Sequence, residues 1–253
     1  MEAALGLESW LSAEIYRLLL VFCRVSMTMI LMPGFGEIMI PGRIRMIAAL
    51  VAAFCIAPLA GPAPSPPGAI AMAGAIGMEV VAGAFIGTLS RILLAAVQMA
   101  GQIIGQSIGL SNAFAFGMGA DNAALLGSVL YAGLLVALFA MDGHHAGLRA
   151  LADSYSLMPL GQPLQAAPAA RALADATATS FRLAMQLSMP FLVLAVLFNA
   201  ALAGINRAMP AMPVFLIGAP ALLMVGLYLM RETMPALVTE MLGAYAEAFL
   251  LRR

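Results

Sequence analysis

Apolar positions run almost unbroken along this chain, and polar ones punctuate them at intervals that suit a membrane. Seven stretches, near residues 11–32, 44–60, 69–90, 92–110, 123–141, 183–204 and 211–230, are about as long as the roughly 20 residues that a helix needs to cross a bilayer. Breaks fall where proline and glycine cluster, at Pro33-Gly34, at Pro41-Gly42 and between Gly61 and Gly68. The longest polar interval is 142–182. Within it Arg171, Asp175, Thr179 and Arg182 recur at helical spacing and predict a short amphipathic helix. The pattern predicts an all-α integral membrane protein of about six to seven hydrophobic helices, some broken or hairpin-like, in a single domain over 1–253.

Two ordered stripes lie in the uncharged segment between Arg91 and Asp121. Gly101, Gly105 and Gly109 recur every fourth residue, and so do Gln98, Gln102 and Gln106. On a helix the two lines run about 100° apart or less. A glycine line admits the close approach of another backbone and predicts a subunit-packing face. A glutamine line needs hydrogen-bond partners or water, because an unpaired buried amide is costly. The segment reads as a wall between subunits, or between a subunit and a wet passage.

Composition sharpens this. Of 253 residues, 63% are hydrophobic and 9% charged, against about 25% charged in soluble domains. Every basic residue is arginine and the formal net charge is zero, which argues against a nucleic-acid partner. Membrane lipid is the expected surrounding. Cys23 and Cys55 lie in apolar segments and read as packing residues. The acidic opening, Glu2 and Glu8, is unlike a cleavable signal.

Charges at membrane depth are costly and face protein or water. Glu14, Arg17, Val21, Arg24 and Thr28 share a face of the first apolar stretch. Glu14 and Arg17 fit a helix entering through the headgroup layer, whereas Arg24 lies deeper and calls for a partner subunit or an acidic side chain. Glu79, in the middle of 69–90, is either a proton-coupled carboxylate or one paired inside the bundle. Arg207 sits at the break Asn206-Arg207-Ala-Met-Pro210, where it either caps a helix's carbonyl end or pairs with a partner's carboxylate. Arg24, Glu79 and Arg207 are the candidate inter-subunit charge contacts. Asp142, His144 and His145 suggest a metal site, but adjacent histidines are expected to diverge on a helix and no further histidine exists. No metal, cofactor or catalytic residue is expected, since no nucleophile-base-acid set or phosphate-binding loop is visible. Phe114, Phe116 and Met118 alternate with small residues after Gly109. They are either a turn resting on the core or a soft hydrophobic plug that closes a passage.

Several motifs together resemble one family. They are Pro41-Gly-Arg-Ile-Arg45; Ala100 to Ser111 with its Ile-Ile-Gly-Gln centre; Asp142-Gly-His144 followed by Asp153-Ser154 and Met158-Pro-Leu-Gly161; and Asn206 to Pro210 followed by Val214-Phe-Leu-Ile-Gly-Ala-Pro220. In order and spacing the set is similar to the FliR-type component of the bacterial type III protein-export gate, and Ile103 to Gln106 resembles the flagellar branch. Gln102 stands where many flagellar relatives carry glutamate. The resemblance implies a subunit without catalytic activity in a helical hetero-oligomeric gate at the inner membrane, within the flagellar basal body. It implies FliP-, FliQ- and FlhB-like partners and unfolded flagellar subunits as cargo, and it assigns the loop matching 110–119 to the family's plug. A homologous injectisome subunit and a self-contained small-molecule transporter are the alternatives. The transporter would carry inverted repeats, and none is visible.

Overall fold

The computed structural model describes residues 2–62, 68–110, 123–209 and 214–250. Among them the chain forms seven α-helices and a 3-10 turn, with no strand. The helices are α1 (Glu2–Leu31), α2 (Gly42–Ile56), α3 (Ala69–Ser107), α4 (Ala123–Ala140), α5 (His144–Leu157), α6 (Ala166–Ala208) and α7 (Val214–Leu250). Four are long and apolar enough to cross a membrane: α2 with its 3-10 extension, α3, α6, and α7 over Leu216–Tyr245. Counting the broken pair α4 and α5 as one span makes five.

Helix lengths depart from simple hydropathy counting. The stretches 69–90 and 92–110 are one helix of 39 residues, about 58 Å long, against a hydrocarbon core of about 30 Å. Arg91 interrupts the apolar run there but breaks nothing: Ser90 donates to the Ile86 carbonyl at 3.2 Å and the backbone ladder continues. The amphipathic segment 171–182 is likewise no separate short helix. It is the first half of α6, which runs 43 residues with Pro190 inside it. No glycine or proline separates Arg182 from the apolar residues that follow, so the helix has no reason to stop.

The chain forms two compact units, each assembled from discontinuous segments. One comprises 1–92, 142–176 and 247–253; the other comprises 93–141 and 177–246. In the first, α1 turns one face to the core through Tyr16, Leu20, Val21, Arg24, Val25, Thr28 and Met29, against Ala49, Ala53 and Ile56 of α2 and Phe85 and Ile86 of α3. The opposite face of α1 exposes Trp10, Leu11, Ile15 and Leu19. The single charge deep in α1 thus points inward and its apolar residues point outward, the reverse of a helix in a water-soluble protein. The turn after α1 needs glycine at Gly36, where a Cβ would collide with the Ile30 carbonyl oxygen.

In the second unit, α4 contributes a leucine line four residues apart, Leu126, Leu130, Leu134 and Leu138, all buried. From α3 come Leu94, Val97, Ala100 and Ile104, with Ile108 in the turn just after it; from α6, Ala184, Ser188 and Phe191; from α7, Met241 and Tyr245.

Candidate functional site

Two features of this fold carry chemistry, one in each unit. The first is a charge pair sealed inside the first unit. Arg24 and Glu79 are both 0% exposed, and Arg24 Nε donates to Glu79 Oε2 at 2.6 Å. The other guanidinium nitrogens are also used: Nη1 donates to Ser154 Oγ at 3.1 Å and Nη2 to the Met158 carbonyl at 2.9 Å. The guanidinium carbon lies 4.2 Å from the centre of the Tyr155 ring, within cation-π range. The second carboxylate oxygen of Glu79 accepts the Gly161 N–H at 2.8 Å. One ion pair thus ties α1, α3, α5 and the turn after α5.

The surrounding backbone is built to let these groups meet. Gly83 and Gly87 continue the line of Glu79 along α3, four residues at a time, and face α1. A Cβ at Gly83 would run into the Arg24 carbonyl oxygen, and one at Gly87 would lie 2.6 Å from Leu31 Cβ. Thr28 Oγ1 shares its proton between the carbonyls of Arg24 (2.9 Å) and Gly83 (3.1 Å). None of this glycine line was singled out by sequence reasoning. The signal available was the spacing Glu79-Gly83-Gly87, in register with a lone carboxylate.

The expectation that Arg24 and Glu79 contact neighbouring subunits is therefore corrected: they pair with each other inside the chain, as the intramolecular readings had it. Glu14 and Arg17 also pair, at 2.6 Å, and both stay partly exposed. Arg207 joins none of these. It is exposed in the last turn of α6, where a cation favours the carbonyl end of a helix.

The second feature is the glycine and glutamine segment of α3 in the other unit. Gly101 is buried and crosses Gly127 of α4, so that a Cβ at Gly101 would lie 2.5 Å from Gly127 Cα. The reverse substitution, at Gly127, would meet the Gln98 carbonyl oxygen at 2.5 Å and Gln102 Cγ at 3.4 Å. The close approach at Gly101 is thus made by this chain's own α4. Gly105 is buried too. Gly109 does not belong to the line, which corrects the reading of three glycines on one helical face. Its φ is +78, and it follows the helix's last residue, Ser107, as a left-handed stop. Gln98, Gln102 and Gln106, by contrast, are all exposed. They form an uncharged polar row along the part of α3 that follows Arg91. Phe114, Phe116 and Met118 lie outside the described residues.

Asp142, His144 and His145 come together more closely than expected. Their candidate ligand atoms lie within 4.8 Å of one another, and the histidine ring centres are 4.2 Å apart. Side-chain rotation overcomes the divergence of adjacent Cα–Cβ bonds. His145 Nδ1 sits 3.6 Å from the Asp142 carboxylate, with both side chains largely exposed. These are the residues that offer ligands to a small cation, without burial to dehydrate one.

The chain matches known proteins along most of its length. The family described as Bacterial export proteins, family 1, covers residues 15–248. A flagellar biosynthetic protein FliR of Caulobacter vibrioides is 31% identical over 239 residues, 92% of this chain and 94% of that protein. The Escherichia coli flagellar biosynthetic protein FliR is 29% identical over 243 residues, 95% of this chain and 91% of its own. One from Aquifex aeolicus is 26% identical over 235 residues, 92% and 90% respectively.

Proposed function

Because the chain belongs to the FliR family of bacterial export proteins, we propose that it is a non-enzymatic subunit of the flagellar type III protein-export gate. It sits in the inner membrane at the flagellar basal body, and with FliP- and FliQ-like subunits it forms the channel through which unfolded flagellar subunits leave. FlhB-like protein docks on that complex. The observation that carries the reading is similarity to flagellar proteins along most of the chain, over 94% of the Caulobacter relative. The surface supports it: α1, α2, α6 and α7 expose many large apolar residues, while the Arg24–Glu79 charge pair is neutralised inside. Such a surface suits lipid and apolar partners.

Deletion of the coding sequence tests the function. The expected result is cells without flagella that retain flagellin in the cytoplasm, restored by the intact chain. Normal flagella with loss of another type III secretion activity would assign it to an injectisome instead.

Within this reading Phe114, Phe116 and Met118 serve as the deformable plug. Replacing all three with glycine is expected to leave assembly intact and open an ion leak, since a hydrophobic constriction bars ions by excluding water. Membrane conductance, or proton leak into inverted vesicles, checks it. Conductance equal to wild type would reduce these side chains to core packing.

A further inference from the structure

Gln98, Gln102 and Gln106 form an exposed, uncharged polar row on the C-terminal half of α3, with the exposed Arg91 one heptad before Gln98 on the same face. We propose that Gln98, Gln102 and Gln106 form a ladder that hydrogen-bonds the backbone of an extended, unfolded polypeptide in transit. This rests on the export reading and names the residues that touch the cargo.

What can face such a row is limited by its chemistry. All three side chains are exposed, and no charge lies between Ile92 and Ala120. Lipid hydrocarbon offers an amide no hydrogen bond, which makes contact costly. A partner helix closes its own backbone N–H and C=O groups within itself, so an apolar helix face would leave the amides unsatisfied as well. An extended chain is different. Each of its residues, proline apart, carries an unpaired N–H and C=O, and a glutamine amide offers both a donor and an acceptor.

The repeats also agree. Four residues of helix advance about 6 Å, and two residues of extended chain advance about 6.6 Å. Rungs on Gln98, Gln102 and Gln106 therefore meet every second residue of a strand-like cargo, and flexible glutamine side chains absorb the small mismatch. Backbone contact is indifferent to cargo sequence. Neutral rungs hold neither acidic nor basic cargo, so binding stays weak enough for the chain to move on. Gln102 lies beside the α3–α4 crossing, where a Cβ at Gly127 would be 3.4 Å from its Cγ.

The test uses the assembled complex in cells, with a photoreactive benzoylphenylalanine placed in turn at Gln98, Gln102 and Gln106, and at Val136 of α4 as an exposed apolar control. A flagellar cargo fused to a tightly folded domain stalls in transit. The expected result is adducts to the stalled cargo from the three glutamine positions and not from Val136. Adducts to lipid or to another gate subunit from all three positions, with cargo captured elsewhere on the chain, would overturn the ladder and leave the export reading standing. Failure of the chain to recover other export proteins or any stalled cargo would remove the export reading itself. A second measurement guards against perturbation by the probe. The triple variant Gln98→Leu, Gln102→Leu, Gln106→Leu is expected to assemble normally and export about tenfold more slowly, with asparagine at the same positions restoring most of the rate. Export at the wild-type rate in the leucine variant would overturn the proposal.

Discussion

Glu79→Ala is expected to destabilise the first unit by roughly 3–5 kcal/mol, the usual cost of leaving one member of a buried ion pair without its partner. Arg24 would stay at the centre of the core with a full charge and no anion. Its contacts to Ser154 and the Met158 carbonyl are polar but neutral. The Gly161 N–H would lose its acceptor too. The double variant Arg24→Met, Glu79→Leu is expected to recover part of the loss, because it removes the stranded charge and fills the space with apolar atoms. Recovery stays partial because the Met158 carbonyl and the Gly161 N–H remain without partners, at about 1–3 kcal/mol each. Unfolding midpoints in a graded SDS titration check the order: wild type highest, the double variant between, Glu79→Ala lowest. A double variant as unstable as the sum of its single changes would mean that the two side chains act independently, contrary to their 2.6 Å contact.

Gly83→Leu is expected to be comparably damaging by a different route, at about 3 kcal/mol or more. The first carbon of any side chain there meets the Arg24 carbonyl oxygen, which is backbone and cannot swing away. Relief requires α1 and α3 to part, and parting stretches both the Arg24–Glu79 pair and the hydroxyl bridge of Thr28. Gly83→Ala therefore already carries most of the penalty. Gly74→Ala provides the contrast, since nothing lies within 4 Å of a Cβ at Gly74. Equal SDS resistance for Gly83→Ala and Gly74→Ala would show that α1 and α3 are not held at this separation.

The existence of the helices was legible because apolar stretches and proline-glycine breaks are local signals. Their lengths were not. A dip in hydropathy at Arg91 resembles a helix end, yet only a residue that disturbs the backbone ends a helix, and Ser90-Arg91 does not. The charge pair was half legible. Arg24 and Glu79 stand out as opposite charges deep in apolar segments, and inward pairing was among the readings weighed for each. Periodicity, however, gives the face a residue occupies and not the element that face meets, and here the partners lie 55 positions apart. The glycines show the same limit twice. Gly101, Gly105 and Gly109 share a spacing, but Gly109 uses its freedom to end the helix and Gly101 meets this chain's own Gly127. Gly83 and Gly87, equally spaced, make a comparably close contact, with α1. The glutamine row was legible as a polar stripe, and its exposure adds that nothing within the described protein covers it.

The gate reading is tested most directly by purifying the tagged chain from its native membrane in mild detergent and identifying what accompanies it by mass spectrometry. Stoichiometric recovery of FliP- and FliQ-like proteins is the expected result. Recovery of the chain as a stable single species, or as an oligomer of itself alone, would contradict it.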